Sequence, residues 1–241
     1  MKRSYQAGLF LFGLTACLIA RDQEQVRLLV EPDSGIGIEQ VGVLVYPPAM
    51  TAEGVYSGEV RAVIGVDAEG RLSDWLITGY TRRHFAEVAA AAIQRWKYEP
   101  ARVGGVRRAS RANVLFEFRN QGVVVQTLPG ALLRQALLSV LESHYEYRPC
   151  HLRELDRIPT PIHVVSPAVR LEEQKRSVTV EFYIDEQGRV RLPAVDRGSA
   201  DDLLAAAAVA AVEQWRFEPP LRKGQPVLVY AQQEFSFQAK E

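Results

Sequence analysis

The chain has 241 residues, 47% hydrophobic and 24% charged, with 29 basic residues balanced by 29 acidic ones. This is the composition of a globular protein and excludes a disordered chain, a collagen and a polytopic membrane protein. The charge balance leaves no global field for nucleic acid, and two cysteines make neither a disulfide scaffold nor a four-ligand zinc site without histidines.

Residues 1–20 read MKRSYQAGLFLFGLTACLIA. Lys2 and Arg3 form a basic head, an apolar run follows from Ala7 to Ala20, and polar RDQEQ comes next. This layout predicts an export signal, since a spanning helix needs about 20 apolar residues. Within the run, LTAC from Leu14 to Cys17 looks like a lipobox, which would make Cys17 the acylated first residue of an outer-membrane lipoprotein. Cleavage after Ala20 and an uncleaved anchor are the alternatives. Each places the remaining chain beyond the inner membrane, in the periplasm. There Cys150 reads as a small buried apolar residue.

The strongest feature is an internal repeat. GEVRAVIGVDAEGRL (Gly58 to Leu72) parallels RSVTVEFYIDEQGRV (Arg176 to Val190), and VAAAAIQRWKYEPA (Val88 to Ala101) parallels AAVAAVEQWRFEPP (Ala207 to Pro220). Asp67 and Trp96 are 29 residues apart, Asp185 and Trp215 are 30 apart, and Trp96–Phe116 and Trp215–Phe235 are both 20 apart. In each copy a β-branched and aromatic run, Val60 to Val66 or Val178 to Ile184, predicts a strand. DAEGR or DEQGR turns it, with glycine taking the positive φ of a tight hairpin. Leu72 to Ile77 and Val190 to Val195 return as second strands. Pro193 makes the latter short, bulged or an edge.

A helix is expected next, capped by Thr81 in the first copy and by Ser199 or Asp201 in the second. Phe85, Ala89, Ala92 and Trp96 fall on one helical face, as do Leu204, Ala208, Ala211 and Trp215. Both tryptophans therefore read as core residues, and Trp75 as a surface feature. The Glu-Pro pairs at Glu99–Pro100 and Glu218–Pro219 are expected to stop the helices. A glycine turn leads to a last strand. In the second copy Val227, Val229, Ala231, Gln233, Phe235 and Phe237 share one face of it.

The fold class expected is α+β: two tandem β-β-α-β modules, at 40–119 and 161–239, each with one helix on a small antiparallel sheet. Residues 120–160 read as a helical linker, its helix running from Pro129 to Tyr145. Leu155 to Pro167, with three prolines, should be extended.

The order Tyr-Pro, strand, VD-x-x-G-R, alanine-rich helix, W-K/R-Y/F-E-P and an F-x-F terminal strand resembles the C-terminal domain of TonB-type energy transducers. Tyr46, Pro47, Val66, Asp67, Gly70, Trp96, Tyr98, Pro100 and Phe116 match it in the first copy. Pro167, Ile184, Asp185, Gly188, Trp215, Phe217, Pro219, Gly224, Pro226 and Phe235 match it in the second. The resemblance implies a periplasmic interaction domain that takes up an extended segment of an outer-membrane transporter or other envelope protein by strand addition. The expected edge is the last strand, at Val227, Leu228, Val229, Tyr230, Ala231, Gln232 and Gln233. The 13 prolines are scattered and form no long spacer. A structural envelope lipoprotein whose modules bury each other's edges, with no role in energy transduction, is the alternative.

No catalytic constellation stands out. His84, His144, His151 and His163 lie in unlike contexts, and the equivalent carboxylates Asp67 with Asp185 and Glu99 with Glu218 suit hairpin and helix-end positions. The expectation is a protein that is not an enzyme, with no cofactor, no metal and no nucleic-acid partner. The basic run Arg102, Arg107, Arg108 and Arg111 reads as a solvated strand and turn, or as a contact for lipopolysaccharide or an acidic partner.

Overall fold

The computed structural model describes residues 35–40, 44–120, 122–127, 145–169, 176–195 and 202–237. The signal segment with Cys17, the candidate caps Ser199 and Asp201, and all but the last residue of the helix expected from Pro129 to Tyr145 lie outside these residues. Among the described residues no helix is long and apolar enough to cross a membrane.

Strand β1 (Gly37–Gln40) and the short helix α1 (Pro48–Ala52) precede a hairpin of β2 (Ser57–Val66) and β3 (Leu72–Tyr80). Helix α2 (Arg83–Arg95) follows, then β4 (Lys97–Glu99), a small hairpin of β5 (Ala101–Val103) and β6 (Val106–Arg108), the long β7 (Ser110–Arg119) and β8 (Gly122–Thr127). A similar succession comes later: β9 (Pro161–His163), β10 (Arg176–Ile184), β11 (Val190–Val195), helix α3 (Asp202–Val212), β12 (Arg216–Phe217), β13 (Leu221–Arg222), β14 (Gln225–Pro226) and β15 (Val229–Phe237). The first unit has a four-stranded sheet in the order β3-β2-β7-β8, and the second a three-stranded sheet in the order β11-β10-β15. All their ladders are antiparallel.

The Asp-x-x-Gly-Arg turns are built alike. Asp67 Oδ1 accepts the backbone N–H groups of Glu69 and Arg71 at 3.0 and 2.8 Å, and Oδ2 accepts Arg71 Nε at 2.8 Å. Asp185 accepts the N–H groups of Gln187 and Arg189 at 3.0 and 2.9 Å and Arg189 Nε at 2.8 Å. These bonds, led by the Arg71 N–H, hold the Asp67 carboxyl below its ordinary range. The turn glycines, at φ of 85° and 76°, lie under the chain that leaves each helix. A Cβ on Gly70 would sit 2.6 Å from the Tyr98 carbonyl oxygen, and one on Gly188 would sit 1.9 Å from that of Phe217. The glycine is thus required by close approach as well as by its backbone conformation.

Both helices lay their alanine face on a sheet. Phe85, Ala89, Ala92 and Trp96 are buried with Val60, Ala62, Ile64, Phe116 and Phe118 in one core. Leu204, Ala208 and Trp215 are buried with Val180, Phe182, Val229 and Phe237 in another, and Ala211 is buried as well. Three local expectations are corrected. Thr81 does not cap α2. The cap position is Arg82, without a side-chain bond, and the Thr81 hydroxyl accepts the Glu59 N–H at 2.9 Å. The helices end at Arg95 and Val212, ahead of the Glu-Pro pairs. Trp96 already turns extended, at ψ 153°, and the Tyr98 hydroxyl donates to the Ile93 carbonyl at 2.7 Å, satisfying one of the helix's orphan acceptors. Trp75 is half-buried against the first core rather than a surface feature.

The backs of the two sheets meet. Val63 of β2 is buried with Tyr183, Leu192 and Leu228, flanked by Leu76, Tyr147 and Tyr230. Gly65 lacks the side chain that would obstruct Leu192, whose Cδ2 would lie 3.1 Å from its Cβ. Leu192 reaches this place through a bulge in β11, where the register shifts beside Pro193 and Leu192 takes φ 49°. Pro193 therefore sits on an edge strand that is also bulged. Across the junction Arg111 Nη2 donates to Glu181 Oε2 at 3.0 Å and Nη1 to the Leu192 carbonyl at 2.8 Å. The two side chains are only 13% and 7% exposed, so Arg111 is not part of a solvated strand. Arg191 pairs with Asp74 across the same junction. The first residues of the expected helical linker form β8, which pairs with β7 from Val114↔Thr127 to Arg119↔Gly122.

Two expectations for stability follow. Gly188→Ala should lower the free energy of unfolding by about 3 kcal/mol, from strain at positive φ and the backbone clash. Gly104→Ala, whose Cβ would meet nothing within 4 Å, should cost only about 1 kcal/mol; urea titration distinguishes them. Arg111→Met should destabilise by about 3–5 kcal/mol because it strands a buried carboxylate. Adding Glu181→Leu should restore much of that loss.

Candidate functional site

The binding edge expected from the sequence lies on the last strand. β15 pairs with β10 over nine consecutive positions, from Val229↔Ile184 to Phe237↔Arg176. It is the outer strand of its sheet. Val229, Ala231 and Phe237 point into the core under α3, and Leu228 is buried at the junction of the two sheets.

The predicted span Val227 to Gln233 is divided by what lies beside it. The segment that holds Tyr145 to Cys150 runs along the start of β15. Cys150 N–H donates to the Leu228 carbonyl at 2.7 Å, and the Tyr230 N–H donates to the Cys150 carbonyl at 3.3 Å. Cys150 thereby bridges Val229 in parallel. The Leu228 carbonyl and the Tyr230 N–H are thereby engaged. By the two-residue alternation of a strand, Gln232, Glu234 and Ser236 are next to present N–H and C=O outward. Among the described residues no backbone pairs with that part of the edge. Val227 precedes the strand and donates its N–H to Pro220. Gln232 Nε2 donates to Glu181 Oε1 at 3.1 Å and to the Tyr230 hydroxyl at 2.9 Å, which ties the start of the open stretch to the buried ion pair.

In the first unit the corresponding strand is β7, and its outer edge is occupied by β8. That edge is thus covered by the next strand of the same chain. Sequence reasoning missed it because GVVVQT was absorbed into the linker, although its consecutive valines are a strand signal.

The strap from Tyr145 to Cys150 also joins the units. The Tyr145 hydroxyl donates to Glu59 at 2.8 Å and Arg61 stands 4.7 Å over its ring. Tyr80 N–H donates to the Tyr147 carbonyl, the two rings stack at 5.3 Å, and the Tyr147 hydroxyl donates to Glu186 at 3.0 Å. Burial raises the Tyr147 phenol well above its ordinary range. Past Cys150 a 3-10 turn from Leu152 to Glu154 is locked by two Arg148–Glu154 bonds of 2.9 and 2.7 Å and by the His151 N–H on Glu154. Asp156 then accepts the Lys223 and Gly224 N–H groups at 2.7 and 2.8 Å.

Cys150 is 3% exposed, with Arg222 Nη1 3.9 Å from its sulfur. Among the described residues no three His, Cys, Asp or Glu side chains gather as metal ligands. Asp67 and Asp185 are occupied by their own turns. Glu99 lies in β4, and Glu218 pairs with Arg157 at 2.8 Å.

The Arg148 hydrogen bonds bring the Glu154 carboxyl from 4.5 down to about 2. A carboxyl lowered on folding contributes stability that is complete above its unfolded value and is lost as pH falls through the folded one. The urea midpoint should therefore fall between about pH 4.5 and about pH 2. Glu154→Gln should remove that part of the pH dependence while lowering the midpoint at neutral pH.

No curated protein matches the chain. Among solved structures it aligns with the solution NMR structure of the Pseudomonas aeruginosa TonB CTD at 27% identity, covering 37% of this chain and 91% of that one with a TM-score of 0.31. Residues 167–239, which hold the β10–β11 hairpin, α3 and the whole of β15, match the model of the family described as Gram-negative bacterial TonB protein C-terminal.

Proposed function

We propose that this chain is a periplasmic TonB-like interaction protein with two copies of one module, at 40–119 and 161–239. On this reading the second copy takes up an extended segment of an outer-membrane transporter or other envelope protein as an added strand. The observation that carries it is the contrast between the two outer edges: β7 already holds β8, whereas past Tyr230 the outer edge of β15 has no backbone partner among the described residues, the Glu234 carbonyl being met only by the Gln233 side-chain amide. The added strand would lie along Gln232 to Phe237 rather than the whole of Val227 to Gln233. Main-chain bonds would supply its affinity. The reading assigns no catalysis. Anchoring through Cys17 would hold the units near the membrane.

A second reading is that of a structural envelope lipoprotein. The back-to-back packing of the sheets around Val63, Leu192 and Leu228 favours it, since the two units cover each other without any third party.

Glu234→Pro discriminates between them. It removes an outward N–H without touching the bonds from β15 to β10, and proline is tolerated on an edge. A pull-down from envelope extract should recover a transporter or other envelope protein with the wild type and lose it with the variant, the circular dichroism of the two being alike. Equal recovery by both, or recovery of nothing, would leave the structural reading standing.

A further inference from the structure

Outside this edge, the most exposed apolar residues that share an element with unpaired charge lie on the β5–β6 hairpin. Its two strands pair only with each other, in the register Ala101↔Arg108, Arg102↔Arg107 and Val103↔Val106. Gly104 and Gly105, at φ of 57° and 81°, make the tight turn. A Cβ added at either glycine would meet no atom within 4 Å, so the tip stands free on all sides.

Directly opposed residues share a face. Arg102 and Arg107 therefore lie together on one face, and Val103 and Val106, 56% and 61% exposed, lie together on the other. Like charges directly opposite destabilise a hairpin. Among the described residues neither Arg102 nor Arg107 has an acidic partner, while Arg108 pairs with Asp202 at 3.1 Å.

The equivalent hairpin of the second unit, β13–β14, is neutralised from within. Its tip amides are bonded to Asp156, and Arg222 lies 3.6 Å from Glu154. Where the second unit supplies its own anions, the first projects cations and two valines into solvent.

We propose that the β5–β6 hairpin is a membrane-contact finger that binds an anionic phospholipid surface. Val103 and Val106 dip below the headgroups, and Arg102 and Arg107 lie at phosphate level with their stems along the apolar boundary. Two arginines close to an anionic surface account for roughly 30-fold in partitioning, and shallow burial of two valines for about tenfold more. The inference is independent of strand capture at β15, which is a different surface of the other unit.

The test is sedimentation of the full chain with vesicles of phosphatidylcholine alone and of an equimolar mixture with phosphatidylglycerol. The readout is the gain in binding that phosphatidylglycerol brings, because any binding through the apolar run from Ala7 to Ala20 is common to both vesicles. The wild type should show a gain that shrinks as ionic strength rises. The pair Arg102→Gln and Arg107→Gln should reduce the gain about 30-fold, the lysine pair R102K/R107K should keep it, and the pair Val103→Ser and Val106→Ser should weaken binding to the mixed vesicles about tenfold.

Unchanged circular dichroism and urea midpoints show that the variants fold. No gain in the wild type overturns the proposal, as does a gain that survives the Arg102→Gln and Arg107→Gln pair, or binding to the mixed vesicles that the Val103→Ser and Val106→Ser pair leaves unchanged. Arginine-dependent binding to poly-glutamate without any phosphatidylglycerol gain overturns it in favour of an acidic protein partner.

Discussion

The buried bond between Arg111 and Glu181 is the constraint around which the two units are arranged. A guanidinium and a carboxylate that are both nearly out of water tolerate little displacement, because losing the partner leaves an uncompensated charge. The arginine is held further by the Leu192 carbonyl and the glutamate by Gln232. The bulge that places Leu192 against Gly65, the junction of Val63 with Leu228, and the beginning of the open stretch of β15 are all fixed by reference to this pair. The outer edge of β15 from Gln232 onward is thus tied to this pair through the Gln232 amide.

The two units use similar components and differ at their margins. In the first, β8 closes the outer edge while the β5–β6 tip is left bare. In the second, the tip is tied down by Asp156 while the outer edge past Tyr230 has no backbone partner among the described residues. The chain thus covers opposite features in the two halves. Each exposed feature, a row of backbone groups in one and a basic finger with two valines in the other, asks for a different kind of partner.

Much of this was legible in the residues. The Asp-x-x-Gly-Arg turns could be read because an aspartate, a glycine and an arginine at that spacing have one economical arrangement. The alanine faces could be read because small residues at helical spacing beside a tryptophan leave few places to go. Pro193 pointed to a short, bulged or edge strand, and β11 is both bulged and at an edge. Arg111 could not be told from its basic neighbours by local sequence, since its partner lies 70 residues away in the other unit. The end of α2 was misplaced because the Tyr98 hydroxyl caps the Ile93 carbonyl from a position ahead of the Glu-Pro pair. The division of β15 depends on Cys150, a residue whose burial was expected but whose backbone role has no sequence signature.

The strap from Tyr145 to Cys150 has a consequence for how the molecule comes apart. Within a few residues it hydrogen-bonds the end of β3 in one sheet and the start of β15 in the other. Opening either sheet at that end removes a backbone neighbour from the strap and so weakens its hold on the other. The halves are thereby expected to unfold in a single cooperative transition, despite each having its own core. One melting event, with no stage in which one half survives alone, is the behaviour that such a shared border imposes on a chain built in two units.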